Sequence, residues 1–120
     1  MDKMVFIVDD TDSILALAAS LLEDDHSVLT MPSAERLFMI LTKKQPDMIL
    51  LDIEMPDMNG FETIAKLKEN PDWHDIPVMF LTGFIDDDVI HRCLESGALA
   101  VMNKSDMSSS LLDRVNVFLS

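Results

Sequence analysis

The sequence predicts an α/β fold: a doubly wound parallel sheet with helices on both faces. Short apolar runs, typical of strands buried on both faces, alternate with longer stretches whose apolar residues recur at helical spacing. This alternation occurs five times in 120 residues, with no linker or low-complexity tract between the rounds. Strands that alternate with helices in this way pair in parallel through right-handed crossovers.

The predicted strands are short apolar runs bounded by polar or turn-forming residues. We place them at residues 4–8, 27–31, 48–51, 78–81 and 98–102. The first run, Met4–Val8, is too short for a helix and too continuous for a half-exposed strand. A strand covered on both faces therefore fits it best. Gly97, which precedes the last run, is a suitable C-terminal stop for the helix before it.

The predicted helices begin at capping or acidic residues. We place them at residues 12–22, 33–41, 61–69, 86–96 and 108–119. Thr11 or Asp12 suits the N-cap of the first helix, and Pro32–Ser33 opens the second. A turn-rich loop at 55–60 precedes the third, and Asp86–Asp88 place negative charge where the N-terminus of the fourth favours it. The N-cap of the fifth helix is not identified.

Composition limits the possible function classes. The 120 residues leave room for one domain, residues 1–120. With 22 acidic and 9 basic side chains the net charge is −13, which disfavours direct binding to nucleic acid and favours cations and basic partner surfaces. Ser13–Leu22, the longest charge-free apolar stretch, is far shorter than the roughly 20 residues of a membrane span. Because no signal peptide pattern is present either, we expect a cytoplasmic protein with no membrane contact. The single cysteine, Cys93, is expected in the core.

Polar side chains that suit phosphoryl chemistry follow four of the five predicted strands. Asp9 and Asp10 end the first strand, Asp52 the third and Thr82 the fourth, and Lys104 follows the fifth. Parallel sheets bind ligands outside the carboxyl ends of their strands, near the point where strand order reverses. Carboxylates that converge there repel one another unless a cation intervenes, and hard oxygen ligands suit Mg²⁺. A hydroxyl and an ammonium beside such a metal are the groups that bind phosphoryl oxygens.

A single residue of this kind carries little weight by itself. An aspartate after a strand is usually a turn former or helix cap, which is our interpretation of Asp12 and Asp57. The histidines lie away from the predicted strand ends, and we interpret them as surface or packing residues: His26, His74 and His91. It is the complete set of strand-end residues that predicts a site.

The chain resembles the receiver domains of two-component response regulators over essentially all of Met4–Phe118. The matching residues are Asp9-Asp10, the segment 50–60, Leu81-Thr82-Gly83, Gly97-Ala98 and Lys104. The resemblance implies a flavodoxin-like sheet of strand order 2-1-3-4-5, which places the acidic residues at the switch point of the sheet. It also implies a single receiver domain, with no output domain in residues 1–120.

The resemblance further implies a phosphorelay protein that is not an enzyme beyond self-phosphorylation and autodephosphorylation. A phosphohistidine on a sensor histidine kinase or a histidine phosphotransfer protein would be the phosphoryl donor. Asp52 would accept the phosphoryl group, and Thr82 and Lys104 would hold its oxygens. Mg²⁺ would bind Asp10, Asp52 and the backbone carbonyl of Glu54, with Asp9 acting through a water. A downstream protein would dock on the face formed by the fourth helix, fifth strand and fifth helix.

Two departures from the family pattern keep an alternative open. Val101 stands where the family usually has an aromatic residue, and Ser105 replaces a proline. A receiver-like interaction module that signals without phosphorylation would explain both departures, but not the complete set of site residues. Phe84, two residues after Thr82, either covers the site or packs as an ordinary loop residue. A Mg²⁺-dependent aspartyl phosphatase fits less well, because residue 54 is not a second aspartate and 120 residues leave no room for a cap domain.

Overall fold

The computed structural model describes residues 3–120. Its strands are β1 (Met4–Val8), β2 (Ser27–Met31), β3 (Met48–Asp52), β4 (Val78–Thr82) and β5 (Ala100–Asn103). Its α-helices are α1 (Asp12–Leu22), α2 (Ala34–Leu41), α3 (Gly60–Glu69), α4 (Asp87–Glu95) and α5 (Met107–Leu119). A turn of 3₁₀-helix, Lys104–Asp106, joins β5 to α5. Within the described residues, no helix is long and apolar enough to cross a membrane.

The five strands form one parallel sheet in the order β2-β1-β3-β4-β5. This confirms the predicted α/β fold and its strand order. The order reverses at β1 and β3, because β2 lies on one side of β1 whereas β3, β4 and β5 lie on the other. Val8 pairs with Leu51, and therefore the residues that follow them, Asp9 and Asp52, emerge side by side at the carboxyl edge.

The hydrophobic core has two layers because successive strand residues face opposite sides of the sheet. In β1, Val5 and Ile7 face α1 and α5, whereas Phe6 and Val8 face α2, α3 and α4. All four side chains are buried, and so are all the residues of β3 and β4. The continuous apolar runs in the sequence thus correspond to strands covered on both faces. Cys93 is buried in the layer under α4, as predicted.

Several element boundaries differ from the prediction by one or two residues, and three of these differences have a visible cause. Helix α3 begins one residue earlier, at Gly60, because Asn59 and Glu62 form a reciprocal capping box at its N-terminus. Strand β5 begins two residues later than predicted, since Ala98 still donates its N–H to the last turn of the preceding helix. Helix α5 begins at Met107, directly after the 3₁₀ turn, and not at residue 108.

Gly60 is required where α3 starts, because the helix passes directly over the end of β3. A Cβ atom there would clash with the backbone oxygen of Asp52 and lie 2.9 Å from both the Cα of Ile53 and a ring carbon of Phe80. We expect Gly60→Ala to lower the free energy of unfolding by about 2 to 3 kcal/mol, measured by urea denaturation. Gly83→Ala is the matched control, since its Cβ would meet nothing within 4 Å, and it should change stability by no more than about 0.5 kcal/mol. Equal losses in the two variants would contradict this account.

Candidate functional site

The structure brings the predicted acidic residues together at the carboxyl edge of the sheet. Asp9 and Asp10 follow β1, Asp52 ends the neighbouring β3, and one oxygen from each carboxylate lies within 4.8 Å of the other two. Asp9 and Asp52 are buried, whereas Asp10 is exposed at the mouth of the cluster. Three negative charges at this spacing require nearby positive charge.

Lys104, which directly follows the edge strand β5, supplies positive charge. Its Nζ lies 2.8 Å from Asp9 Oδ2 and 3.2 Å from Asp52 Oδ1. The lysine begins the 3₁₀ turn after β5, where the Asn103 side chain accepts hydrogen bonds from the N–H and the hydroxyl of Ser105. Ser105, which departs from the family pattern, therefore helps to hold the turn that carries Lys104.

Asp9 retains unused acceptor capacity. Its Oδ1 accepts a hydrogen bond of 2.9 Å from the backbone N–H of Thr11. Its Oδ2 is buried and lies 2.8 Å from the Lys104 ammonium, with no further hydrogen-bond partner within residues 3–120. Because Asp9 shares this one ammonium with Asp52, the charge of the two buried carboxylates is offset only in part. The donor set of carboxylate oxygens around Asp9 Oδ2 is the kind that Mg²⁺ binds, so the residues present fit that ion.

Asp52 is almost completely buried within the cluster. Only 3% of the residue is exposed, and its Oδ1 accepts a long hydrogen bond of 3.4 Å from the N–H of Glu54. Burial and, second, the charge of Asp9 raise the pKa of Asp52 to about 6, although Lys104 and the Glu54 amide oppose the shift. Burial would lower the pKa of Lys104, but contact with Asp9 and the charges of both carboxylates outweigh it and raise that pKa.

A pocket of about 680 Å³ opens beside the acidic cluster and gives it a route to solvent. Asp10, Glu54, Thr82 and Phe84 are among its lining residues. The Thr82 hydroxyl donates to the Phe84 carbonyl at 3.2 Å and accepts from the Phe84 N–H at 3.3 Å. The Phe84 side chain is 61% exposed, so it borders the pocket without closing it. Val101 is half-buried and packs on the layer under α4.

Arg92 of α4 also lines this pocket, and the sequence analysis did not identify it. Its guanidinium carbon lies 4.0 Å from the centroid of the Phe61 ring, and Phe61 in turn packs on Phe80 at a centroid distance of 5.2 Å. The contact is a cation–π interaction between α4 and α3. No spacing signal links these positions, since they are 31 residues apart and meet only in the folded chain.

Comparison with known proteins identifies this arrangement. The profile of the response regulator receiver domain matches residues 5–116. The chain belongs to this family. Receiver domains are the signalling phosphoacceptor domains of two-component systems, and they bind Mg²⁺ at an acidic pocket. The interpretation as a phosphorelay signalling domain is therefore confirmed at the level of the family.

Two relatives contain the same domain within longer proteins. The receiver domain is 33% identical over 115 residues to a probable cyclic di-GMP phosphodiesterase from Vibrio cholerae, covering 96% of this chain and 26% of that protein. It is 32% identical over 119 residues to the response regulator PleD from Caulobacter vibrioides, covering 98% of this chain and 25% of that protein. The chain thus spans about a quarter of the length of these two relatives.

Solved structures support the same fold. The signal receiver domain of a signal transduction histidine kinase from Syntrophus aciditrophicus superposes with a TM-score of 0.87 at 28% identity, covering 98% of this chain and 89% of that one.

The three histidines of the receiver domain lie outside the acidic cluster. His26 contacts the side chain of Asn116 on α5 at 2.6 Å. His74 and His91 are exposed and lie beside acidic neighbours. Their positions agree with the interpretation as surface or packing residues.

The raised pKa of Asp52 predicts how stability depends on pH. Above about pH 6 the carboxyl is ionised in the folded and unfolded states alike, and the folded state bears the cost of burying that charge. This cost declines as pH falls from about 6 towards 3.8, because in that range the Asp52 carboxyl binds a proton in the folded state but not yet in the unfolded state. We expect Asp52→Asn to raise the free energy of unfolding by about 1 to 3 kcal/mol at pH 8 in EDTA, with the gain disappearing near pH 4. Urea denaturation across this pH range measures it.

The control for this experiment is Asp113→Asn, which removes an exposed carboxylate on α5. It should leave stability nearly unchanged across the same range. An Asp52→Asn variant that is less stable than wild type at pH 8 would overturn the electrostatic account of the site.

Proposed function

We propose that this receiver domain accepts a phosphoryl group on Asp52 from a phosphohistidine of a sensor histidine kinase or histidine phosphotransfer protein. The observation that carries the proposal is the position of Lys104, whose ammonium reaches from the end of β5 to both Asp9 and Asp52. A buried carboxylate flanked by a fixed ammonium and further carboxylates is an arrangement for a metal-assisted reaction at an anionic group. The pocket beside it offers the donor an approach.

The metal in this proposal is Mg²⁺, bound by Asp10, Asp52 and the backbone carbonyl of Glu54, with Asp9 acting through a water. Asp9 Oδ2, buried and with no further hydrogen-bond partner than Lys104 within residues 3–120, supports a cation at this position. Once bound, Mg²⁺ would supply the positive charge that offsets repulsion between the carboxylate and the incoming phosphoryl group. Exposure of Asp10 leaves room for the waters that Mg²⁺ usually keeps.

Asp52 would act as the nucleophile. Within residues 3–120, the two donors that contact its carboxylate, Lys104 and the Glu54 amide, both lie at Oδ1, so we assign Oδ2 as the attacking oxygen. The Oδ2–P bond forms as the P–N bond to the donor histidine breaks, and the imidazole departs with the electron pair of that bond. The Lys104 ammonium would then exchange part of its contact with the carboxylates for a phosphoryl oxygen. The Thr82 hydroxyl would turn from the Phe84 carbonyl towards a second phosphoryl oxygen.

The proposed output is a change at the face formed by α4, β5 and α5, where a downstream protein would dock. Ile90, Leu94 and Leu99 are exposed apolar residues of α4 and of the segment just before β5. Thr82 links the site to this face, because it pairs with Asn103 of β5. With Val101 in place of an aromatic residue, repacking here would involve a smaller side chain.

The proposal also covers the extent of the domain, its location in the cell and its contact with nucleic acid. We propose that residues 1–120 are one receiver domain with no output domain among them, acting in the cytoplasm. The net charge of −13 argues against direct contact with nucleic acid.

A second candidate function is an interaction module that keeps the receiver fold and signals without phosphorylation. Val101 and Ser105 favour it, since both depart from the pattern of switching receivers. The Lys104 contacts favour phosphorylation, because a scaffold gains nothing from burying two carboxylates beside one ammonium.

The test that separates these functions is intact-mass analysis after incubation with Mg²⁺ and acetyl phosphate. We expect one added phosphoryl group in the wild type and none in Asp52→Asn, because that amide oxygen is a poor nucleophile. Asp57→Asn is the matched control: the same change five residues away, at an exposed turn residue with φ of 69° that asparagine adopts readily. It should be phosphorylated like the wild type. A wild type that stays unmodified would favour the interaction module.

Binding of Mg²⁺ is tested separately by thermal unfolding. At a Mg²⁺ concentration ten times the Kd, binding should raise the free energy of unfolding of the wild type by about 1.4 kcal/mol. This corresponds to a rise of several degrees in Tm. Asp10→Asn should lose most of this rise while still folding, because the residue is exposed. Asp12→Asn, the same change at an exposed position of α1, should keep it. A rise that persists in Asp10→Asn would contradict the proposed ligand set.

A further inference from the structure

A second cavity of about 910 Å³ runs between α2 and α3, and nothing in the reaction proposed above uses it. We call it the α2–α3 groove and define it by six of its lining residues: Glu35, Phe38, Met39, Asp57, Met58 and Trp73. It lies on the side of the sheet opposite α1 and α5. Pro56 lines both the groove and the pocket of the acidic cluster, so the loop after β3 separates the two.

The floor of the groove is apolar and adaptable. Phe38 of α2 stacks on Trp73 at a centroid distance of 5.7 Å and an interplanar angle of 30°. Met58 is half-buried beside them, whereas Met39 is 58% exposed on the outer turn of α2. Methionine and aromatic side chains together form surfaces that adapt to apolar partner side chains.

The charges of the groove are unevenly distributed. Glu35 lies in the first turn of α2 and Asp57 in the loop before α3, so both carboxylates lie at the end of the groove near the carboxyl edge of the sheet. Lys66 and Glu69, which offset one another, lie further along α3. The groove therefore has an acidic end, and a basic occupant complements it.

A second copy of this chain does not provide that complement. Each copy carries a net charge of −13, so two copies repel one another at moderate ionic strength. A segment that carries apolar side chains on one face and lysine or arginine at one end matches both the floor and the acidic end.

We propose that the α2–α3 groove binds a basic, amphipathic helical segment of a partner protein. Its apolar side chains lie against Phe38 and Met39, and its cationic end lies towards Glu35 and Asp57. This surface is separate from the face of α4, β5 and α5. The proposal does not require phosphorylation of Asp52, and its outcome is independent of that of the proposed function.

The experiment uses the whole chain labelled with ¹⁵N and a synthetic amphipathic helix of leucine and lysine as the probe. In buffer of about 0.15 M salt, which screens long-range attraction, we expect amide shifts confined to residues 34–42, 56–59 and 66–73. A peptide with glutamate in place of every lysine, and one with serine in place of every leucine, should each bind at least about tenfold more weakly.

Variants locate the contact. Met39→Ser should weaken binding at least about fivefold, whereas Val117→Ser, at an exposed apolar position on α5, should not. Glu35→Gln with Asp57→Asn should weaken it about three- to tenfold, and Glu23→Gln with Asp113→Asn, which removes the same charge elsewhere, should leave it unchanged. Shifts centred on α4, β5 and α5, equal binding of the glutamate peptide, or no shift in the groove would each overturn the proposal.

Discussion

The arrangement of this molecule depends on one electrostatic constraint: two carboxylates are buried side by side, and a single ammonium must reach both. Asp9 and Asp52 are adjacent because β1 and β3 pair at the point where strand order reverses. Lys104 starts from the end of β5, beyond the intervening β4, so its side chain extends across the edge of the sheet. Only a long, flexible cationic stem can cover that span, and the Asn103–Ser105 hydrogen bonds fix where it starts.

The sequence was sufficient to predict the strands and the helices, because these follow from periodicity and from where each apolar run ends. The clustering of the acids also required β1 and β3 to be neighbours, and this order came from the family resemblance. The boundary at Gly60 was missed although its signal is present, since Asn59 and Glu62 have the spacing of a capping box. The depth of Asp52 and the position of Arg92 on Phe61 could not be predicted, because both depend on how distant segments pack. The contacts of Lys104 required the strand order, which came from the family resemblance and not from the residues alone.

The loop between β3 and α3 is fixed at several points, and it therefore forms a fixed boundary between the acidic pocket and the α2–α3 groove. Gly60 donates to the carbonyl of Ile53 at 2.8 Å and packs against the end of β3, Asn59 caps the helix, and Asp57 adopts a left-handed conformation. A loop held in this way keeps the Glu54 amide on Asp52 without depending on a ligand. It also forms a stable wall between the acidic pocket and the α2–α3 groove, so each surface presents a preformed shape to its ligand.

Helix α4 packs on the core through fewer residues than α3 does, and this affects how a change at Asp52 would reach a partner protein. Its buried residue is Cys93, while Ile90 and Leu94 remain exposed, so it shares less of the core than α3 does. Elements with few buried contacts open at the lowest free energy. Because Val101 is smaller than the aromatic residue that the family usually has there, a response at this face would depend more on α4 itself than on a side chain of β5. Since the contact between Arg92 and Phe61 joins α4 to α3, a shift of α4 would have to distort or break that contact.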